Sequence, residues 1–188
     1  MRRRAKVINF GILYGMGVNA LRLNLGAGVS REEAGKFLSD YFENFSGLHS
    51  WIENVKSNAA RTGYTETLFG RRRYFPGFKS PLMQMRAQAE RMAMNAPIQG
   101  TQSDIMKLAM VEAEKVIKDK KWEKRVKLVM QVHDELVYEL DEKIAEEAAL
   151  EIKKVMEEIV PVAKLSGVPI KAEAKIGKHW GEMKKLEK

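Results

Sequence analysis

The stretch Met130–Leu140 reads MQVHDELVYEL, and it decides the fold class that we predict for this chain. Two apolar runs, RVKLVMQV at 125–132 and ELVYEL at 135–140, flank the dipeptide His133–Asp134. Two residues between two such runs are typical of a tight β-hairpin. The hairpin would present His133, Asp134 and Glu135 at its tip, in a chain that has only three histidines.

Helical patterns dominate the rest of the sequence. Apolar residues recur at spacings of three and four, and Ser30 with Glu33 forms a potential capping box. We predict helices over about 2–14, 29–45, 47–61, 83–118 and 141–159. The YGMG stretch at 14–17 suits the end of the first helix. The fold class is therefore α+β.

Three features refine this outline. Pro97 is expected to kink or break the fourth helix, because it lacks a backbone N–H group. A two-stranded ribbon is predicted over 63–78, with its turn near Gly70–Arg71. The alternating segment VPIKAEAKIG at 168–177 could add a strand to the hairpin.

Charge divides the chain into two parts. Residues 1–91 carry 15 Lys and Arg against 7 Asp and Glu, whereas residues 92–188 carry 18 against 18. The net charge of +8 therefore lies in the first part, with eleven of the twelve arginines. Arginine pairs well with phosphate oxygens, so this part suggests a polyanionic partner, although a soluble basic surface is an equal alternative. We predict a domain boundary near residue 91.

Composition excludes several classes of protein. The chain has no cysteine, which excludes disulfides, thiolate metal sites and cysteine nucleophiles. No apolar run approaches the roughly 20 residues of a membrane helix, and the basic N-terminus lacks the apolar core of a signal peptide. We expect a soluble, cytoplasmic protein.

The first helix carries a regular set of side chains. Arg2, Lys6, Phe10 and Tyr14 recur at a spacing of four, which places them on one helical face. Two cations followed by two aromatic rings match a nucleotide laid along the helix, with its phosphates at one end and its base at the other. The alternative is a solvated basic turn followed by aromatic residues of the core.

A second set follows the same spacing near Pro97. Arg91 can bind a phosphate, and Asn95 and Gln99 can hydrogen-bond base edges or sugar oxygens in a groove. Helix capping and turn chemistry around the proline explain these residues equally well. Arg71, Arg72 and Arg73 lie at the predicted ribbon turn, where they either track a nucleic-acid backbone or form an ordinary solvated charge run.

The hairpin tip could hold a metal ion. Carboxylate oxygens such as those of Asp134 and Glu135 are the ligands that Mg²⁺ prefers, and His133 could orient the site or donate to a phosphate. The alternative is an ordinary polar turn. A metal phosphohydrolase would need further histidine ligands, and only His49 and His179 remain. The three tryptophans, Trp51, Trp122 and Trp180, are predicted to be packing residues.

These stretches together resemble the family A DNA polymerases, the bacterial DNA polymerase I type. RRRAKVINFGILYG at 2–15 is similar to the family's fingers motif Arg-x₃-Lys-x₃-Phe/Tyr-x₂-Tyr-Gly, with one further residue before the tyrosine here. MQVHDELV at 130–137 is similar to its palm motif, which ends in His-Asp-Glu. TLFGRRRYFP at 67–76 and ERMAMNAPIQGTQSDI at 90–105 match intervening segments in the same order. The resemblance covers practically the whole chain.

The resemblance implies an architecture and a reaction. It implies a helical fingers subdomain over 1–91, followed by part of a palm over 92–188 with a short antiparallel sheet packed by helices. It also implies a DNA-directed DNA polymerase, a nucleotidyltransferase of replication or repair. Its partners would be primer–template DNA and deoxynucleoside triphosphates, and its cofactor Mg²⁺ in a two-metal site.

The resemblance also implies a role for each matching position. Arg2 and Lys6 would bind the phosphates of the incoming nucleotide, Phe10 would pack on its sugar and base, and Tyr14 would lie near the template base. Asp134 would be a catalytic metal ligand, with His133 near the primer end and Glu135 a secondary acidic group. The residues implied to contact DNA are Arg91, Asn95 and Gln99, with Arg71, Arg72 and Arg73 as further candidates.

One part of the family pattern has no counterpart in this chain. The family site needs a second Asp on an earlier palm strand, in a motif like DYSQIELR, and nothing in these 188 residues resembles it. A split or truncated chain is therefore expected, active only when an N-terminal polymerase fragment supplies the second Asp and shares the two-metal site. The alternative is a non-catalytic module, derived from a polymerase, that binds primer–template.

Overall fold

A computed structural model describes the backbone of residues 2–186 and the side chains of residues 5–186. The chain divides into two compact units, Met1–Thr101 and Gln102–Lys188. This division lies ten residues beyond the boundary predicted from charge. No Lys, Arg, Asp or Glu occurs between residues 92 and 101, so the charge shift does not distinguish the two positions. The assignment of the parts as fingers and palm stays a prediction.

Four helices open the first unit, and the first three pack around a small apolar core. Ile8, Ile12 and Leu21 are buried at its centre, and the hydroxyl of Tyr41 donates a hydrogen bond to Asn9. The capping box is confirmed: Glu33 N–H donates to Ser30 Oγ at 3.0 Å, and Ser30 N–H to Glu33 Oε2 at 2.7 Å. The helices are α1 (Arg2–Leu13), α2 (Val18–Leu25), α3 (Arg31–Asn44) and α4 (Ser46–Thr62).

The predicted ribbon is confirmed. Strands β1 (Tyr64–Glu66) and β2 (Arg72–Tyr74) pair antiparallel, with Thr65 opposite Arg73. Gly70 in the turn has φ of 79°, a left-handed conformation that favours glycine. A 3₁₀ turn over Pro76–Lys79 leads from the ribbon towards the next helix.

Helix α5 (Met83–Asp119) is continuous, so the predicted break at Pro97 is wrong, whereas the alternative of a kink there stays a prediction. A proline inside a helix loses one hydrogen bond and costs about 3 kcal/mol. Small buried residues in the turn that precedes it, Ala93 and Ala96, pack in a core with Ala59, Phe75 and Ala89. We attribute the continuity of the helix to this packing, which offsets the missing hydrogen bond.

The predicted hairpin forms in the second unit. Strands β3 (Val126–Val132) and β4 (Glu135–Leu140) pair antiparallel, and Val132 lies opposite Glu135. The register shifts between Leu128 and Met130, so Val129 is an extra residue that bulges out and is exposed. His133 and Asp134 are therefore the two loop residues, as expected.

Helix α6 (Ala145–Glu158) packs against the hairpin in the core of this unit. The core consists of buried residues from α5, the following loop, β3 and α6, namely Ala113, Ile117, Trp122, Val126, Ala148 and Ile152. Trp122 is a packing residue, as predicted. The combination of long helices and short antiparallel sheets confirms the α+β class.

The expectation that residues 168–177 add a strand to the hairpin is wrong. Strand β5 (Lys175–Ile176) pairs instead with β6 (Lys184–Lys185). The N–H of Ala172, earlier in this segment, donates to the carboxylate of Glu157 on α6 at 3.0 Å. Alternation of apolar residues indicates which face is buried, but it does not specify which strand is the partner. No helix in the described part of the chain has both the length and the apolar character required to cross a membrane.

Candidate functional site

Helix α1 exposes an aromatic face. Lys6 Nζ lies 5.7 Å from the centre of the Phe10 ring, and the Phe10 and Tyr14 rings stack with centroids 6.2 Å apart and planes at 26°. Phe10 is 45% exposed and Tyr14 is 42% exposed, whereas Ile8 and Ile12 are buried. The alternative in which these aromatic rings form the core does not hold. The set also includes Arg2, whose side chain lies outside the described residues.

The turn after Tyr14 contacts helix α5. Gly15 has φ of 81°, and a Cβ atom built on it would lie 2.7 Å from Met94 Cε and 3.0 Å from Arg91 Cγ. The first distance is too short for a Cβ contact and the second is unusually tight, so the terminal methyl of Met94 and the stem of Arg91 lie directly against the glycine. The structure therefore brings Arg91 next to the end of the aromatic face.

Asn95 lies one turn after Arg91 on the same helix. Its Nδ2 donates to the carbonyl oxygen of Arg91 at 2.9 Å. Its Oδ1 is buried and has no hydrogen-bond partner among the described residues. A buried acceptor without a donor costs free energy, and because it is buried this oxygen can accept a hydrogen bond from a ligand only if the side chain turns outward. Gln99 is exposed one further turn along α5.

The three ribbon arginines are exposed, and each makes a contact within the first unit. Arg71 Nη2 donates to the carbonyl oxygen of Gly100 at 3.0 Å, and Arg72 Nε forms an ion pair with Glu66 Oε1 at 2.7 Å. The guanidinium of Arg73 lies 5.6 Å from the centre of the Phe75 ring. These contacts hold the cations in fixed positions on the surface.

The hairpin tip presents its three polar residues to solvent. His133, Asp134 and Glu135 are all exposed. His133 has φ of 53°, a left-handed conformation that costs a non-glycine residue roughly 1–2 kcal/mol. The side-chain amide of Gln131 donates to the His133 carbonyl oxygen at 2.6 Å and so holds the loop in this conformation.

Asp134 could supply one ligand to a metal ion, but the hairpin tip does not supply a complete set of ligands. It has an exposed carboxylate at a rigid turn, and a hard cation prefers such oxygen ligands. One oxygen of the adjacent Glu135 is already engaged, because Trp180 Nε1 donates to Glu135 Oε1 at 3.0 Å. No group of three acidic or histidine side chains suited to a metal ion occurs among the described residues.

A cleft of about 350 Å³ lies beside the hairpin in the second unit. Its walls include residues 134–138 of the tip and β4, residues 171–175 of the C-terminal segment, and Ile152 and Met156 of α6. Strand β4 pairs with β3 alone in the described part of the chain, so its other edge carries backbone groups without a strand partner. Such an edge can accept a further strand.

Two functional contacts were not anticipated from the sequence. Trp180 was predicted to be a packing residue, but it is 53% exposed and contacts Glu135. No local pattern indicates a contact between residues 45 positions apart. The packing of Arg91 on Gly15 was also missed, although the YGMG stretch already indicated a tight turn there.

Comparisons with known proteins identify the family of this chain. The family model described as DNA polymerase family A matches residues 1–182. Among curated proteins, the thermostable DNA polymerase I of Thermus filiformis is 45% identical over 184 residues, which is 98% of this chain and 21% of the relative. That of Thermus aquaticus is also 45% identical, over 96% of this chain and 20% of its own length. The DNA polymerase I of Rhizobium leguminosarum is 40% identical, over 97% of this chain and 18% of its own length.

A solved structure is similar as well. The POL domain of Pol1 from M. smegmatis, in complex with DNA primer-template and dNTP, matches with a TM-score of 0.81 and 38% sequence identity. The match covers 89% of this chain and 28% of that one. The chain thus spans about a fifth of the length of the curated relatives.

Proposed function

This chain belongs to DNA polymerase family A, and we propose on that basis that it is the nucleotide-binding and partly catalytic portion of a DNA-templated DNA polymerase. The exposed Lys6–Phe10–Tyr14 face of α1 is the observation that carries the proposal. A helix that buries Ile8 and Ile12 while its Phe10 ring and the stacked Tyr14 ring just after it are left in water has a surface suited to a planar ligand.

Nucleotide binding follows from the order of groups along α1. Lys6, with Arg2 before it, binds the phosphates of the incoming deoxynucleoside triphosphate through charge-assisted hydrogen bonds. Phe10 packs on the sugar and base, and Tyr14 lies beside the template base at the insertion site. The cation next to the Phe10 ring supports this order, because it sets positive charge and aromatic surface side by side.

The DNA partner would contact α5 and the ribbon. Arg91 supplies a cation near the end of the aromatic face, and the side-chain amides of Asn95 and Gln99 are the candidates for base edges and the minor groove. Arg71, Arg72 and Arg73 would follow the sugar–phosphate backbone. The similar structure of the M. smegmatis domain is a complex with primer-template and dNTP, which supports these partners.

Catalysis would require Mg²⁺ that is held jointly by Asp134 and by a carboxylate from outside these 188 residues. When bound, the metal ions would stabilise the charge of the attacking primer 3′-hydroxyl and of the leaving pyrophosphate. Asp134 supplies one ligand, His133 faces the primer end, and Glu135 is a neighbouring acidic group that orients the tip.

The cleft beside β4 is suited to the source of the second carboxylate. An extended segment of an N-terminal polymerase fragment that lies in it would pair with the open edge of β4. Because Asp134 forms one end of the cleft wall, a carboxylate on that segment would come close to Asp134. The proposed partner is therefore a polymerase fragment that contributes one strand.

Mg²⁺-dependent primer extension tests this function. The chain is assayed alone and then with a family A fragment that carries the second Asp, and we expect extension only in the mixture. Extension by the chain alone would contradict the shared site and make Glu135 the first candidate for the second ligand. Binding of primer–template without extension in the mixture would instead support a non-catalytic binding module.

A further inference from the structure

Trp180 is too exposed to be a packing residue, yet its side chain makes a specific hydrogen bond. The indole is 53% exposed, yet its Nε1–H donates to Glu135 Oε1 at 3.0 Å. The contact joins the C-terminal loop to the first residue of β4. Glu135 directly follows Asp134, so the hydrogen bond acts on the residue next to the proposed metal ligand.

The loop that presents Trp180 is held in place at several points. A Cβ atom on Gly177 would lie 2.7 Å from the carbonyl oxygen of Glu182, so the chain crosses itself closely there. Strands β5 and β6 pair on either side of the loop, and the N–H of Glu182 donates to the His179 carbonyl oxygen at 3.0 Å. Trp180 is thus presented by a closed loop and not by a free end of the chain.

The hairpin tip is held from both sides as a result. Before the tip, Gln131 donates to the carbonyl oxygen of His133, which has a left-handed backbone conformation. After the tip, Trp180 holds the carboxylate of Glu135. Asp134 is the residue between these two contacts, and its own carboxylate stays exposed.

We propose that Trp180 is a positioning residue for Asp134, acting through Glu135. Its indole N–H keeps the Glu135 carboxylate turned towards the C-terminal loop, so that Glu135 neither competes with Asp134 for a cation nor lets the tip rotate. The proposal rests on the proposed function, because it gives Asp134 the role of a metal ligand.

The first test measures the hydrogen bond in the chain as it is. The ¹⁵N-labelled protein has three indole N–H resonances, and Trp180→Phe identifies one of them by its loss. We expect Glu135→Ala to move the Trp180 resonance and to speed its hydrogen exchange, while the Trp122 resonance reports that the second unit stays folded. An unmoved Trp180 resonance would overturn the contact.

The second test measures the effect on catalysis in the assembled enzyme, this chain together with the complementary fragment. We expect Trp180→Phe to slow single-turnover incorporation about tenfold at fixed Mg²⁺ and to raise the Mg²⁺ concentration for half-maximal rate. The dissociation constant for the nucleotide should stay unchanged, because the α1 face is untouched. Trp51→Phe makes the same chemical change on α4 and serves as the matched control.

A double-mutant cycle separates positioning from general stability. If Trp180 acts through Glu135, then Trp180→Phe has little further effect in a Glu135→Ala background. The positioning role would be overturned if the rate losses of the two single variants multiply in the double variant. It would also be overturned if Trp180→Phe incorporates nucleotide as fast as the control Trp51→Phe. In both cases the assembled wild type still polymerises. An assembled wild type that incorporates no nucleotide would overturn the proposed function itself, and the two failures are therefore distinguishable.

Discussion

At the scale of single residues, exposure separates the aromatic face at α1 from the core face of that helix. Ile8 and Ile12 are buried, whereas Phe10 on the same helix and Tyr14 directly after it are close to half exposed. Both pairs are apolar, and burial of the aromatic pair would be worth about 2–3 kcal/mol per side chain. Leaving them in water has a thermodynamic cost, which a bound nucleotide would offset.

Lys6 gives the first prediction at this scale. Lys6→Ala should raise the nucleotide concentration for half-maximal incorporation about tenfold or more, because it removes a charge-assisted hydrogen bond to phosphate worth about 1.5–3 kcal/mol. The measurement is single-turnover incorporation by the assembled enzyme over a range of nucleotide concentrations. Lys36→Ala, on the exposed surface of α3, is the control. An unchanged half-saturation would remove the phosphate role.

Asp134 gives the second. Asp134→Ala should reduce incorporation by the assembled enzyme to background, since the metal site loses a ligand, while primer–template binding persists. Primer extension measures the first effect and fluorescence anisotropy of labelled DNA the second. Asp119→Ala removes an exposed carboxylate at the end of α5 and should leave both unchanged. Residual metal-dependent extension by Asp134→Ala would place the metal ligand elsewhere.

At the scale of elements, the turn between α1 and α2 depends on its packing against α5. Gly15 allows the left-handed backbone and the close approach of Met94 and Arg91 at once. The continuity of α5 through Pro97 matters for the arrangement of the residues that are proposed to contact DNA. Because the helix is unbroken, Arg91, Asn95 and Gln99 keep the spacing of four that places them on one face.

Gly15→Ala tests this contact. The added Cβ would meet Met94 at 2.7 Å in a conformation that alanine disfavours. We expect the free energy of unfolding of the chain to fall by at least about 1–2 kcal/mol. Urea denaturation measures the change. Gly17→Ala is the matched control, since a Cβ atom there would meet no atom within 4 Å. Equal stabilities for the two variants would show that the turn does not require glycine.

At the scale of the whole molecule, charge and titration differ between the two units. Residues 1–101 contain 15 Lys and Arg and 7 Asp and Glu, whereas residues 102–188 contain 18 basic and 18 acidic residues. An electrostatic attraction to the proposed DNA partner would therefore act mainly on the first unit. The second unit contains a tyrosine with a strongly raised pKa. Burial, with a smaller effect from Glu114, raises the pKa of Tyr138 to about 12.

Tyr138 gives a pH-dependent prediction. Its pKa is higher in the folded state than the ordinary value near 10, so the neutral phenol favours folding. This contribution is fully present below about pH 10 and is lost as the pH rises towards 12. We expect the free energy of unfolding of wild type to fall more steeply over this range than that of Tyr138→Phe. Fluorescence of the buried Trp122 in the same core follows the transition.

The control for this prediction is the exposed Tyr74. This residue is 64% exposed, so Tyr74→Phe makes the same chemical change outside the core of the second unit. Parallel profiles for wild type and Tyr138→Phe would contradict the proposed burial effect.

The sequence by itself determined the local elements of this protein and the family to which it belongs. The helical periods, the capping box at Ser30, the ribbon turn at Gly70 and the two-residue loop at His133–Asp134 are set by interactions between near neighbours. Such interactions can be read from spacing alone. The two motifs on α1 and on the hairpin were sufficient to indicate the polymerase family.

Only the tertiary structure decided what these elements touch. Whether Phe10 is exposed, whether Pro97 breaks α5, which strand pairs with Lys175–Ile176 and where Trp180 donates its hydrogen bond all depend on packing between segments distant in sequence. Burial energies of that packing exceed local preferences, as the intact helix at Pro97 shows. Periodicity specifies a face of an element, and the three-dimensional fold specifies the partner of that face.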